Sequence, residues 1–191
     1  MTFSVRFGII KMNEGSIAFV FHLDSINLGG KAMNELLKNK LNEIVATDLI
    51  EDDSTLTFEE LSQFEAEKGI IIPDVYKEFL TQQCSFYVID DYGFPMIESS
   101  DMTSDDGCEK LDMFYNREFI TGSDAFIRNW GSKVLPIGEN MGGDYVCIGV
   151  NEDCFGKIYF LYHEDEERED CLYLIANSFE EFILSIKNIG W

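Results

Sequence analysis

Residues 57–80, which read TFEELSQFEAEKGIIIPDVYKEFL, predict two consecutive helices joined by a short apolar link. Thr57 is followed three residues later by Glu60, the pattern of a capping box, so the first helix begins there. Gly69 ends this helix, because glycine readily adopts the left-handed conformation that closes a helix C-terminus. Pro73 opens the second helix, at a position where the missing N–H of proline costs no hydrogen bond.

The apolar residues of this helix pair recur at helical spacing, so each helix presents one apolar face. We predict that this face is buried and forms part of the protein core. Its residues are Phe58, Leu61, Phe64, Val75, Tyr76, Phe79 and Leu80.

An amphipathic helix is predicted on the N-terminal side of this pair, beginning at Met33. A polar stretch, residues 51–54, separates it from the pair. The apolar residues that fall on one face of this helix are Met33, Leu36, Leu37, Leu41, Ile44 and Val45.

Residues 1–32 differ in character from the rest, and two interpretations stay open. Phe3, Val5 and Phe7, and then Ile17, Phe19 and Phe21, alternate with other residues around Asn13-Glu14-Gly15, which predicts a hairpin. Alternatively, residues 28–33 can be encoded by a purine-rich stretch that resembles a ribosome-binding site before a Met codon. Met33 is then the true start. The predicted organisation is an extension, residues 1–32, and a domain, residues 33–191.

The middle of the chain predicts a mixture of elements. Residues 86–89 predict a strand that Asp90-Asp91-Tyr92-Gly93 stops. Residues 98–107 are rich in Ser, Asp and Gly, which is typical of a loop. Helices are predicted over residues 111–120 and 123–130.

The last third predicts a sheet followed by one helix. Pro136 indicates that the first of its strands lies at a sheet edge. Ser178 with Glu181 forms a second capping-box pattern, which begins the final helix. The predicted strands cover residues 134–137, 145–150, 157–163 and 171–175. Because helices cluster early and strands late, the predicted class is α+β, a single domain with a mostly antiparallel sheet and helices packed on it.

The charge is strongly acidic. Asp and Glu total 36 against 14 Lys and Arg, a formal net charge of −22, while 46% of residues are hydrophobic, as in a folded protein. Such a surface repels nucleic acid and anionic membranes, and it favours basic protein partners. The alternative is that these charges only keep the protein soluble.

The five cysteines form no C-x-x-C pair, which suits a reducing compartment. No long uncharged apolar run predicts a membrane span, and Arg6, Lys11 and Glu14 interrupt any signal-peptide pattern. We therefore expect a cytoplasmic protein.

The sequence predicts no catalytic residue, metal or cofactor. Only His22 and His163 are available as a base beside a nucleophile, and no nucleophile motif is present. Phosphate-binding loops and zinc-ligand spacing are also absent. The acidic stretch from Asp101 to Asp112 fails the calcium-loop pattern, because Asp106 stands where that loop needs glycine.

Three ordered stretches resemble one known family. They are residues 60–80, then 135–164, which contain LPIGENMGGDYVCIGVN and GKIYFLYHE, and last SFEEFIL at 178–184. This set resembles the SUKH superfamily, which includes fungal cell-wall-synthesis regulators of the Smi/Knr type and bacterial immunity proteins. The resemblance covers Met33 to Ile189. The chain departs from the family's Asn-Gly-Gly-like turn at residues 82–85, so no role is carried over to that turn.

The resemblance implies an α+β fold without enzyme activity and a role in neutralising a toxin. The expected partner is a basic protein toxin domain, often a nuclease, with no direct nucleic-acid or membrane binding; the oligomeric state stays open. Rival interpretations are a scaffold or regulator in cell-envelope growth, and a hydrolase that uses His163. Asp144 is expected either to accept hydrogen bonds from turn amides or to face the partner. The candidate partner-binding residues are Asp90, Asp91, Tyr92, Asp144, Tyr145, Glu164 and Asp165.

Overall fold

The computed structural model describes residues 9–11, 17–19, 35–50, 55–165 and 171–190. The chain divides into two compact units, residues 1–32 and 33–191. In the first unit, strands β1 (Ile9–Lys11) and β2 (Ile17–Phe19) pair antiparallel. The first strand of this hairpin lies later than predicted, while Phe3, Val5, Phe7 and Phe21 fall outside the described residues. So does Met33, and its role as the true start stays a prediction.

The second unit combines helices and strands. Its described helices are α1 (Glu35–Ile44), α2 (Phe58–Lys68), α3 (Asp74–Gln82), α4 (Arg117–Thr121), α5 (Ser123–Trp130) and α6 (Phe179–Ser185). Its described strands are β3 (Val45–Ile50), β4 (Phe86–Val88), β5 (Tyr92–Pro95), β6 (Cys108–Lys110), β7 (Met113–Phe114), β8 (Val134–Glu139), β9 (Tyr145–Gly149), β10 (Ile158–Leu161), β11 (Leu172–Ala176) and β12 (Lys187–Asn188).

The strands form a seven-stranded sheet in the order β11-β10-β9-β8-β7-β4-β3 and a three-stranded sheet in the order β12-β5-β6. Every strand pair in these two sheets is antiparallel. The predicted α+β class with a mostly antiparallel sheet is therefore confirmed. The sequence did not predict the small sheet.

The register of the larger sheet brings alternate strand termini to one end. Glu139 at the end of β8 lies opposite both Tyr145 at the start of β9 and Met113 at the start of β7. Tyr145 also lies opposite Leu161, the last residue of β10, and Leu161 lies opposite Leu172, the first of β11. On the other side, β4 ends and β3 begins at this same end. The connections that leave this end carry the candidate residues.

Aromatic side chains fill the core on both faces of the larger sheet. The Phe160 ring of β10 lies 5.4 Å from Phe94, which in turn lies 5.4 Å from Phe182 of α6. In an antiparallel sheet, neighbouring positions along a strand point to opposite faces. Accordingly, Tyr145 faces the other side, where its ring lies 5.5 Å from Phe126 of α5. Helices thus cover both faces of the sheet.

The helix boundaries follow the capping residues that the sequence contains. Thr57 Oγ1 accepts a hydrogen bond from the Glu60 N–H at 3.2 Å, and Glu60 Oε2 accepts one from the Thr57 N–H at 2.8 Å, so the predicted capping box is confirmed. Gly69 closes α2 with φ of 64°. At α6, Ser178 accepts from the Glu181 N–H. The second hydrogen bond of this box differs from the capping-box pattern. The Glu181 carboxylate accepts the N–H of Asn177, the residue before Ser178.

Two residues predicted on buried helix faces lie at the surface. Phe58 is 50% exposed and Leu36 is 61% exposed. Phe58 is the first residue of α2, and the buried residues of this helix, Leu61 and Phe64, lie further along it. The core prediction is correct for Leu61, Phe64 and Tyr76, as it is for Phe79 and Leu80.

Two sequence predictions are wrong, and a third is right in part. Residues 111–120 were expected to be helical, yet Met113 pairs with Tyr87 and Glu139, and the helix begins only at Arg117. The strand predicted over residues 86–89 ends before Asp90 as expected, but Tyr92 and Gly93 of the predicted stop already belong to β5. The strand with Pro136 is not an edge, because β8 lies between β7 and β9. A register shift between Pro136 and Gly138 accommodates the proline, as β-bulges do.

Within the described ranges, no helix has both the length and the apolar character needed to cross a membrane. Four cysteines, Cys108, Cys147, Cys154 and Cys171, are buried.

Candidate protein-binding surface

One end of the seven-stranded sheet concentrates acidic side chains. We call it the acidic end and define it by seven residues that the register and the connecting turns place there: Glu43, Asp90, Asp91, Asp112, Glu139, Asp144 and Glu164. All of them are exposed or half-buried. Lys40 and His163 lie among them. Lys40 pairs with Glu43 at 2.9 Å, and His163 pairs with Asp144.

The turn between β8 and β9 is held by hydrogen bonds between its two ends. Asn140 donates its backbone N–H to the Asp144 carbonyl at 3.0 Å, and Asp144 donates its N–H to Asn140 Oδ1 at 2.9 Å. Asn140 Nδ2 also donates to Asp144 Oδ2 at 3.1 Å. Gly143 completes the turn with φ of 90°, a conformation that residues with a Cβ rarely adopt. The turn therefore has one well-defined conformation.

Asp144 also joins this turn to the end of β10. Its Oδ1 accepts the His163 backbone N–H at 3.1 Å and lies 2.8 Å from His163 Nδ1. The side chain of Asp144 is only 14% exposed. Of the two roles expected for Asp144, the structure shows hydrogen-bond acceptance, but the donors are His163 and the Asn140 side chain instead of the turn amides.

Met141 and Asp112 form a feature of this end that the sequence analysis missed. Met141 is 92% exposed, and its backbone N–H donates to Asp112 Oδ2 at 2.8 Å. Asp112 also accepts the Val88 N–H with its carbonyl at 2.9 Å and donates its own N–H to the Glu139 carbonyl at 3.1 Å. Asp112 thus holds the turn beside the end of β4. The signal in the sequence was an apolar residue inside an otherwise polar Asn-Met-Gly-Gly-Asp turn.

Asp90 and Asp91 lie in a tight turn between β4 and β5, and Tyr92 is the first residue of β5. Asp91 adopts a left-handed φ of 69°, and the Tyr92 N–H donates to the Ile89 carbonyl at 3.3 Å. Asp90 is exposed, whereas Tyr92 is half-buried and packs towards α1. The Tyr92 hydroxyl donates to Glu43 Oε1 at 3.4 Å, and Lys40 Nζ lies 5.9 Å from the centre of its ring.

The remaining candidates differ in exposure. Glu164 is 76% exposed, and one of its oxygens lies 3.7 Å from His163 Nε2. Asp165 is only 8% exposed and accepts a hydrogen bond from the Tyr173 hydroxyl at 2.5 Å, so its side chain is directed inward. Tyr145 is half-buried, and burial raises the pKa of its phenol. The structure brings the candidates to one end of the sheet, and their partner-binding role stays a prediction.

Two observations bear on the chemistry of the described residues. The described residues contain no group of three or more His, Cys, Asp or Glu side chains arranged to hold a metal ion. Cys147 in β9 is fully buried, and burial raises its pKa well above the ordinary value, which disfavours the nucleophilic thiolate. Hydrogen-bonded turns and an exposed methionine suit a protein-binding surface, because methionine is enriched in interfaces.

Comparison with known proteins gives two matches. The model of the SMI1 / KNR4 family (SUKH-1) matches residues 55–185, a range that contains most of the acidic end. The chain is also 30% identical over 149 residues to the SPbeta prophage-derived uncharacterized protein YokK of Bacillus subtilis (strain 168). This alignment covers 68% of the chain and 74% of that protein.

Proposed function

The chain belongs to the SMI1 / KNR4 family (SUKH-1), and from this membership we propose that it is a non-enzymatic immunity protein that binds and blocks a protein toxin. Members of the family bind toxins in immunity systems. We further propose that the target is a basic nuclease domain and that neutralisation takes place in the bacterial cytoplasm, where such a toxin reaches nucleic acid.

The observation that carries the proposal is the acidic end. Seven acidic residues lie at one end of the sheet in a chain whose formal net charge is −22. A nuclease must present Lys and Arg side chains to hold the phosphates of its substrate. A surface of carboxylates can therefore occupy that cleft, because it presents the sign of charge for which the cleft is built.

Charge and packing have separate effects in such a complex. Complementary charges mainly raise the rate at which the two proteins meet, and this effect weakens as salt screens it. A few buried side chains near the centre of the interface supply most of the affinity. The proposal therefore requires both an acidic rim and an apolar centre on the binding surface.

Co-expression tests the proposal. Each nuclease toxin domain encoded in the genome that carries this gene is induced in bacteria with and without this protein, and survival is counted. We expect rescue from one such domain or a few closely similar ones. If survival with this protein is as poor as without it for every domain, the immunity function is contradicted. If the protein then pulls down envelope-synthesis proteins from a lysate, the scaffold interpretation is favoured.

Matched charge variants connect the function to the acidic end. The double variant Asp90→Asn with Glu164→Gln removes two exposed charges from this end. Glu152→Gln with Asp153→Asn removes two exposed charges from the β9–β10 hairpin at the opposite end. At low salt we expect the first pair to slow association with the toxin by about 2- to 10-fold and the second pair to leave it nearly unchanged. Equal effects of the two pairs would show that only net charge matters.

A further inference from the structure

We infer that Met141 is the apolar anchor of the toxin interface and inserts into an apolar pocket between the phosphate-binding residues of the nuclease. This inference rests on the proposed function and assigns the central contact of that surface.

The side chain of Met141 contributes almost nothing to the fold. It is 92% exposed, the highest value among the large apolar residues described as exposed. Scattered exposed apolar residues are common and need no explanation by themselves. A methionine, however, is flexible and polarisable, which suits it to fill a pocket on a partner. The free energy of burying this side chain therefore remains available for binding.

Hydrogen bonds hold the backbone of the turn that carries Met141. The Met141 N–H is bound by Asp112 at 2.8 Å. Hydrogen bonds join Asn140 and Asp144, the two ends of the turn. Asp144 also accepts a hydrogen bond from the His163 N–H. A binding residue whose backbone is already ordered loses little conformational entropy on association. The turn thus presents one exposed apolar side chain from a pre-organised support.

Asp112 contacts the Met141 backbone, and a second exposed apolar residue, Ile89, follows β4 at the same end of the sheet. Asp112 binds the Met141 backbone, and the same Asp112 binds Val88 at the end of β4. The next residue of that chain segment, Ile89, is 39% exposed and precedes Asp90. An apolar centre within a charged rim is the arrangement of an energetically important contact in a protein interface.

The partner that fits this arrangement must be basic and must contain an apolar pocket. A nuclease cleft has both properties, because its substrate carries anionic phosphates and apolar, flat-faced bases. On this surface the acidic rim takes the place of the phosphates and Met141 takes the place of a base. The combination of acidic charge and one exposed apolar side chain therefore fits a nuclease cleft.

Affinity measurements on four forms of the full chain test the inference. The wild type, Met141→Ala, Met141→Leu and Ile71→Ala are titrated with each inactivated nuclease toxin domain of the same genome by biolayer interferometry. Ile71 is the matched control: it is 64% exposed, and its neighbour Pro73 lies against Gly156 at the opposite end of the sheet. Thermal unfolding of each variant checks that the fold is unchanged, as expected for exposed side chains.

We expect Met141→Ala to raise the Kd by about 10- to 100-fold, the effect of losing one fully buried apolar side chain. Met141→Leu should restore binding to within about 3-fold, because volume and apolarity are kept, and Ile71→Ala should bind as the wild type does. A Met141→Ala variant that binds with wild-type affinity overturns the inference and leaves the proposed function intact. A wild type that binds none of the domains overturns the proposed function, and the inference with it.

Discussion

Tyr162 and Glu109 form a buried hydrogen-bonded pair whose contribution to stability can be worked out from their contacts. Tyr162 is 2% exposed and Glu109 is 9% exposed. The Tyr162 hydroxyl donates to Glu109 Oε1 at 2.8 Å, and the Ser104 N–H donates to the same oxygen at 3.0 Å. Burial, together with the nearby Glu109 carboxylate, raises the pKa of Tyr162, so its phenol remains a donor at neutral pH.

The substitution Tyr162→Phe removes this hydroxyl and keeps the ring, which lies 4.8 Å from Phe160 and 5.5 Å from Tyr173. Glu109 is then left in the interior with one donor fewer. A hydrogen bond to a charged group contributes about 1.5–3 kcal/mol, so we expect the free energy of unfolding to fall by about 2 kcal/mol. This corresponds to a fall of roughly 4–8 °C in Tm for a chain of this size.

Urea denaturation followed by circular dichroism measures the effect. Tyr87→Phe serves as the control, because Tyr87 is 37% exposed and its hydroxyl can bind water. A double-mutant cycle with Glu109→Leu, which removes the accepting oxygen, then isolates the pair and should give a coupling energy of about 1–2 kcal/mol. A Tyr162→Phe variant within about 0.5 kcal/mol of the wild type, or a coupling energy near zero, would refute the reasoning.

Replacement of Phe79 by alanine is expected to lower the free energy of unfolding by about 3–5 kcal/mol, because Phe79 is 0% exposed; Phe58→Ala, at 50% exposure, should change it by less than about 0.5 kcal/mol. Equal losses in urea would contradict this assignment of the core. Thr57→Ala should cost about 1 kcal/mol through loss of the cap. Hydrogen bonds from Thr57 lower the pKa of Glu60, so the contribution of Glu60 is present above its ordinary pKa and is lost as pH falls through the lowered value. Glu60→Gln should accordingly destabilise the protein more at neutral pH than in acid, as measured by urea titrations at both; the reverse order would exclude this linkage. His163→Ala should still neutralise the toxin at one equivalent, because blocking needs no catalysis. If the wild type neutralises the toxin well below one equivalent and the variant does not, the protein is a hydrolase.

The local elements were predictable wherever a short sequence pattern determines them. The capping box of Thr57 and Glu60 and the left-handed Gly69 act within one helix turn, so the sequence alone fixes where α2 begins and ends. Residues 111–120 were not predictable in this way. Their apolar residues fit a helix, but pairing of Met113 with two neighbouring strands outweighs that local preference. The position of Pro136 likewise depends on a bulge that only the paired sheet reveals.

The candidate surface was predicted in part. Asp90, Asp144 and Glu164 were chosen for charge in loops, and only the sheet register places the three at one end. Asp165 shows the limit of that choice, because a carboxylate in a charged stretch can turn inward when a buried tyrosine supplies a donor. Met141 was missed since exposure of a single apolar turn residue cannot be read from sequence periodicity.

Isothermal titration of the wild-type chain with each inactivated nuclease toxin domain of the same genome, at low and at high salt, tests the central claim most directly. We predict that one domain binds with a stoichiometry of one to one, and that its affinity falls as salt screens the acidic end. Absence of binding for every domain, or a complex whose affinity is the same at both salt concentrations, would contradict the claim that the acidic end neutralises a basic nuclease.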